Sequence, residues 1–398
     1  MSFSILYLDQ QADFDREIAP LKGKPWIGFD TEFVGEKTFI PLLCLLQIVS
    51  DKAIYLIDTL RIKDLSLFLE IIEDPATLKI THAGDNDYRL LNILFNTVPA
   101  NIFDTQIAAG FVGYNYPAGF GKIVERELGV SISKSHTVAD WEARPIEDKA
   151  LSYAIEDVKY LPSLHRSLTG KLEEFQRLQW AQEECKKWET AAFYSTDPYK
   201  EALSTDFIYQ LDRKEQVFLL RIYAWRRQKA LQLNIPKEQV LPSKHVTAIM
   251  RTVKEGNQTL RANRTIPEHI WKKNAQEWHE LWKEPIQPSE KAVLENLPGA
   301  PPDDPELEWH YELLYHFVKK QCLDHEISAA LLFPRGDFNK LKNGRPDFDS
   351  GILDGWRANL LGKDLVEWLK YGQPLELTWL SDGGCQIKKK EPKKSKTR

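Results

Sequence analysis

A change of hydrophobic period about 165 residues into the chain limits what it can become. Before that point, short apolar or β-branched runs at 26–29, 43–49, 54–57, 78–81 and 102–103 alternate with helical patterns such as 65–72 and 88–95. Strands and helices taken in turn predict an α/β layered domain. Beyond it the period is helical, with apolar residues at Leu219, Leu220, Tyr223 and Ala224, then at Val240, Val246, Ile249 and Met250, and again over 309–371. Residues 285–306 separate the two helical stretches and carry six prolines, which reads as a linker. For 398 residues, two or three domains are expected. The expected boundaries are 1–190 for the α/β domain with a trailing helix, 208–284 and 307–375 for two small all-α domains, and 376–398 for a disordered basic tail.

Charge divides along the same lines. Residues 1–168 hold 24 acidic against 16 basic side chains, a net of −8, whereas 209–284 hold 15 basic against 8 acidic, a net of +7. An acidic block followed by a basic one suits an enzyme that holds metal ions with the first and a polyanion with the second. A patchwork of solvated faces explains it equally well. The longest apolar stretch, 40–49, is interrupted by Gln47 and falls short of the ~20 residues of a membrane span. The start of the chain turns acidic where a signal peptide would be apolar, so a cytoplasmic protein is expected. Four scattered cysteines make neither a CxxC motif nor a disulfide scaffold. Phosphate-binding glycine loops, HExxH and GxSxG are all missing.

Carboxylates are the informative residues. Trp26-Ile-Gly-Phe-Asp30-Thr-Glu32-Phe33 is an apolar strand ending in two acids. Positions two apart share a strand face, so Asp30 and Glu32 project together while Thr31 points away. Such a pair repels unless it caps a turn in solvent or holds a divalent cation. On a later helix Tyr153 precedes Asp157 by four residues, which puts a phenol and a carboxylate on one face. Between these lies His82-Ala-Gly-Asp85-Asn-Asp87, a strand-to-helix step where Asp85 reads as an N-cap. Asp104, in Phe103-Asp-Thr105, also reads as a cap. His82 reads as a packed strand-end residue and Glu156 as solvated.

Taken in order, DxE after a strand, HAxxxD at the strand-to-helix step, FDT, and YAxxD on the late helix resemble the exonuclease motifs of the DEDD superfamily, the tyrosine marking its DEDDy branch. FDTEFVGEKTFIPLLCLLQI, HAGDNDYRLL, IFDTQIAAGF and ADWEARP followed by YAIEDVKYL resemble the ribonuclease D family over residues 20–168. LRIYAWRRQKALQLNIPKEQVL and LDGWRANLLGKDLVEWL resemble the two HRDC domains of that family. The resemblance implies a ribonuclease H-like α/β fold with a mixed central sheet, followed by two HRDC-like domains. It implies that Asp30, Glu32, Asp87 and Asp157 hold two divalent cations, Mg²⁺ or Mn²⁺, with Asp30 bridging them. Asp87, five residues after His82, fills the ligand position and leaves Asp85 as a cap or as a partner just outside the ligand set. Tyr153 would orient the attacking water, since a phenol with a pKa near ~10 is a poor base.

The activity so implied is 3′-5′ exoribonuclease trimming of RNA 3′ ends, transfer RNA precursors among them; no membrane partner is expected, and the sequence leaves the number of chains that assemble open, a monomer being the expectation. A 3′-5′ exonuclease acting on DNA is the alternative, because no residue here reads a 2′ hydroxyl; a catalytically silent nucleic-acid-binding scaffold is another. A frayed strand needs aromatic faces, for which Phe33, Phe111, Tyr114, Tyr116 and Phe120 are available. Phosphates upstream could meet the basic stretch that includes Arg226, Arg227, Arg261 and Arg264, with Arg226 and Arg227 the candidate contacts.

Overall fold

The computed structural model describes residues 3–132, 139–255, 265–297, 305–342, 354–362, 375–379 and 385–389. Arg261 and Arg264 lie outside them. Two compact units divide the chain. One draws on 1–102, 133–162 and 186–298, the other on 103–132, 163–185 and 299–398.

The strands are β1 (Ser4–Leu8), β2 (Trp26–Val34), β3 (Leu42–Val49), β4 (Ala53–Asp58), β5 (Leu78–Thr81) and β6 (Ile102–Asp104). They form one mixed sheet in the order β1-β4-β3-β2-β5-β6. β1 runs parallel to β4 and β2 to β5, while β3 is antiparallel to both its neighbours. Each apolar run forms its expected strand, and β1 is an addition at the sheet edge. The early helices are α1 (Gln11–Ile18), α2 (Ser66–Glu73), α3 (Asp85–Phe95), α4 (Thr105–Gly110), α5 (Phe120–Leu128), α6 (Asp148–Lys159), α7 (Leu161–Glu174) and α8 (Leu178–Lys186).

Alternation along β2 sorts the core. Phe29 faces α2 and α3, with edge-on ring contacts to Phe68 at 5.5 Å and Tyr88 at 5.4 Å. Gly28, Asp30 and Glu32 face the other way, where α6 packs across β2, β3 and β4. A Cβ at Gly28 would lie 2.7 Å from Val49 Cγ1 and 3.2 Å from Leu161, so only glycine admits the start of α7 here.

In the same unit, short helices α9 (Ala191–Tyr194) and α10 (Lys200–Leu203) lead to the long α11 (Arg213–Leu233), which opens with a capping box between Asp212 and Glu215. Its buried residues Phe218, Leu219, Ile222 and Trp225 meet Val246, Ile249 and Trp278. The linker expected at 285–306 is corrected in part: Pro288–Glu295 is a helix whose Leu294 enters this core. Proline at a helix's first turn lacks only an N–H that would be unbonded anyway, and Gln287 with Glu290 supplies a capping box. Buried Arg221 fastens this segment, bonding Glu290 through Nε (2.6 Å) and Nη2 (2.7 Å) and donating to the carbonyls of Leu281, Glu284 and Pro285.

In the other unit, Phe111 packs edge-on against Trp356 at 4.8 Å and Trp180 at 6.4 Å. Glu184 accepts from Trp356 Nε1 at 2.7 Å and from both terminal nitrogens of buried Arg357. The helix Pro305–Asp324 and the segment Gly355–Leu361 thus belong to the same body as α4 and α5. The disordered tail expected over 376–398 is corrected where it is described: Leu375–Trp379 and Cys385–Lys389 pair as antiparallel strands, while 380–384 and 390–398 lie outside the described residues. Alternation of Leu375, Leu377 and Trp379 with Glu376 and Thr378, followed by Asp-Gly-Gly, is a hairpin signal that the lysine count obscured. No helix among the described residues is long and apolar enough to cross a membrane.

Candidate active site

Asp30, Glu32 and Asp157 come together. One carboxylate oxygen of each lies within 4.8 Å of the others, and all three residues are part-buried. β2 supplies the first two, and the ladder slips between Glu32 and Phe33, so Glu32 faces Leu45 while Phe33 faces Leu43. A bulge of this kind ends the regular pairing beside the acids and re-aims the half-buried Phe33. Asp157 comes from α6, whose buried face of Ala150, Ala154 and Val158 sets the helix rotation. Tyr153 lies one turn earlier on the same helix, close enough to Asp157 for each group to shift the other's titration.

Asp87 is not a member of that trio. It sits in the first turn of α3 and accepts a buried hydrogen bond from the Thr31 hydroxyl. Its charge still reaches Glu32. Thr31 does point away from Asp30 and Glu32, as the alternation demands, and so meets α3. Asp85 is corrected from N-cap to first helical residue: Gly84 holds the cap position, and Asp85 pairs with Arg89 at 2.8 Å. A Cβ on Gly84 would lie 2.7 Å from Thr81 Oγ1, and Ala83 before it has φ 56°, a left-handed conformation costly for a side-chain-bearing residue. Strain is therefore stored where Asp87 is aimed. Asp104 caps α4 as expected, accepting from the amides of Gln106 and Ile107 at 2.9 and 3.0 Å. His82 follows β5 half-buried, and Glu156 is part-buried rather than solvated.

The acids repel one another. Burial, then the charges of Asp30, Asp157 and Asp87, push Glu32 up to about 9. Burial and Asp157 raise Asp30. Asp157 is pushed to about 7 by burial, with the Tyr153 hydrogen bond opposing and Glu156 adding. Burial and the same three acids lift Tyr153 well above a free phenol. Carboxylates with raised folded-state values favour folding while protonated, so stability falls as pH rises from the unfolded range near ~4 through about 7 and 9. Divalent cations compete with those protons. We therefore expect chelator-treated protein to melt lower at pH 9 than at pH 6, and Mg²⁺ to restore most of the difference. Calorimetric titration in two buffers of different ionisation enthalpy should register proton release on Mg²⁺ binding at pH 7. Equal melting at both pH values with no proton release would remove the electrostatic argument.

Two tethers hold the site from outside. Arg144, in the loop before α6, donates to both oxygens of the fully buried Asp58 at 2.7 and 2.8 Å and to the Cys44 carbonyl at 2.8 Å; Tyr7 adds a hydroxyl at 3.0 Å. Burial alone would raise Asp58, but Arg144 and Tyr7 more than reverse it and hold it below the ordinary carboxylate range. The loop leaving β2 is held by α11: Asn234, the left-handed C-cap, accepts from the Ile40 amide at 2.9 Å, and the Arg227 guanidinium lies 5.4 Å from the Phe39 ring centre.

Arg226 is corrected as a nucleic-acid contact. It is 1% exposed and donates to the Lys237 carbonyl, Ser243, Glu201 and Glu238. Its charge is consumed within the helical core. Phe111 and Tyr114 are buried packing residues, Tyr114 bonding Glu127 at 2.5 Å, while Tyr116 and Phe120 are half-buried.

An α/β sheet whose buried acids gather from separate elements beside a tyrosine defines an exonuclease-type site. Residues 5–173 match the family model described as a 3′-5′ exonuclease. Ribonuclease D of Granulibacter bethesdensis is 30% identical over 361 residues, 89% of each chain. That of Gluconacetobacter diazotrophicus is 28% identical over 95% of this chain and 94% of its own. The crystal structure of Escherichia coli RNase D superposes with a TM-score of 0.80 at 25% identity, covering 93% of this chain and all of that one. The chain belongs to the ribonuclease D family of 3′-5′ exoribonucleases.

Proposed function

We propose that this chain shortens RNA from its 3′ end, releasing nucleoside 5′-monophosphates in the cytoplasm, with transfer RNA precursors among its substrates. The observation that carries the reading is the trio Asp30, Glu32 and Asp157, whose mutual repulsion at neutral pH calls for cations. In this proposal Asp30, Glu32, Asp87 and Asp157 hold two divalent ions, Mg²⁺ or Mn²⁺. Bound ions of this kind stabilise the charge on the scissile phosphate and the departing 3′ oxygen. All-oxygen ligands suit either ion. Asp87 fits the fourth position because Thr31 fixes its carboxylate and its field reaches Glu32. Tyr153, uncharged and one helical turn from Asp157, orients the attacking water rather than deprotonating it.

The domain reading accompanies it: a nuclease domain over 1–190, a first HRDC-like domain over 208–284 extended by the helix Pro288–Glu295, a second over 307–375, and a monomeric chain. Phe33 and Arg227 remain the proposed RNA contacts, one beside the bulge and the other over Phe39. The Escherichia coli relative is described as an exoribonuclease involved in structured RNA processing, which supports RNA as the substrate class.

The test uses matched single-stranded RNA and DNA of one sequence, with free or phosphorylated 3′ ends. Mononucleotides should appear from RNA with a free 3′ hydroxyl and Mg²⁺, and chelation should stop their release. Faster loss of the DNA would favour the DNA-directed alternative. Internal cleavage of the 3′-blocked strand would reject an end-dependent enzyme.

A further inference from the structure

Gln47 is an anomaly in the middle of the sheet. It is 0% exposed, and neither its Nε2 nor its Oε1 has a hydrogen-bond partner. An enclosed amide left unmet carries its full desolvation penalty, and leucine or methionine would fill the same space without it. Its neighbours on β3 are apolar, so nothing in the strand's own logic requires an amide there.

Register locates what it faces. Gln47 stands directly opposite Asp30 on β2 and Leu56 on β4. Opposed residues of an antiparallel pair point to one face with their Cβ atoms about 5 Å apart. The next pair on that face, Gly28 and Val49, lies under the start of α7 at Leu161, and Asp30 itself meets Asp157 of α6 there. It is the face under α6, whose buried residues Ala150, Ala154 and Val158 carry no side-chain hydrogen-bonding group. Of the residues paired with Gln47 across the sheet, only Asp30 has a side chain that can meet the amide.

We propose that Gln47 is a positioning residue for the metal site, its Nε2 donating to the Asp30 carboxylate once cations draw that carboxylate into place. This rests on the reading of Asp30, Glu32 and Asp157 as cation ligands. A ligand carboxylate steadied by an outer hydrogen bond presents a fixed oxygen to the ion, and loss of such partners typically weakens metal binding about 10- to 100-fold. The amide's enclosure before cations arrive is then a stability cost retained for function.

Gln47→Met and Gln47→Leu in the full chain test this, with wild type and Asp30→Asn alongside. Mn²⁺ binding is read without RNA from the electron paramagnetic resonance signal of the free ion, and melting is followed in chelator. We expect both variants to melt at or above wild type, to bind Mn²⁺ about 10- to 100-fold more weakly, and to lose kcat with an unchanged KM for RNA. Wild-type Mn²⁺ affinity in either variant overturns the proposal. So does a lower melting temperature in both, which would make Gln47 a structural residue. Wild type that takes up no Mn²⁺ would instead remove the metal-site reading itself, and the amide's role with it.

Discussion

Asp30→Asn lowers mononucleotide release from RNA by more than about 10³-fold, a loss at least as large as removal of one preorganised catalytic donor elsewhere. The same variant, freed of one of three crowded acids, melts at or above wild type in chelator near pH 8. The pairing of these results is diagnostic. Burial and Asp157 raise Asp30 because its charge is unwelcome there, so a neutral amide of equal size relieves the fold while removing the carboxylate proposed to hold the cation. Mg²⁺ should then raise the melting temperature of wild type and not of the variant. Retained turnover in Asp30→Asn would show that the cluster does not carry the activity and would return the silent-scaffold alternative to consideration. A variant that melts far below wild type would mean that Asp30 is held by bonds rather than opposed by charge.

Arg144→Ala destabilises the chain by about 3–5 kcal/mol, the usual cost of stranding one member of a buried ion pair. Asp58 is 0% exposed and takes both of its strongest bonds from this guanidinium. Arg144→Lys should recover little, since an ammonium cannot reproduce the two-pronged contact while also serving the Cys44 carbonyl. The defect should shrink as pH is lowered, because protonation removes the charge that the variant leaves unpaired. Urea unfolding of full-length wild type and variants at pH 7 and pH 5 measures both effects. A difference below about 1 kcal/mol at pH 7 would place the pair among ordinary surface ion pairs.

Much of this could be seen in the letters of the chain, and the boundary of what could be seen has a physical cause. Period identified the strands, and spacing within one element identified partners: Asp30 with Glu32 on a strand, Tyr153 with Asp157 on a helix. What spacing cannot supply is which faces of different elements meet. The Thr31 bond to Asp87, the Arg144 bond to Asp58 and the position of Gln47 opposite Asp30 all depend on that. Each left a trace, Thr31 within the acidic motif, Arg144 within ADWEARP, and Gln47 as the one polar interruption of an apolar run. Proline density misled at 285–306 because proline breaks a helix interior but suits its first turn. Basic composition misled twice, at Arg226 because a count of charges does not reveal which of them are already matched inside the fold, and in the tail because it hid the alternation of 375–379.

The bond from Ile40 to Asn234 joins positions 194 residues apart. A fragment ending near residue 190 would therefore discard the acceptor that anchors the backbone leaving the catalytic strand, together with the cation resting on Phe39. The loop leaving the strand that carries Asp30 and Glu32 is anchored by a residue synthesised long after it, so a ribosome-bound chain gains that anchor only once α11 and its C-cap have emerged.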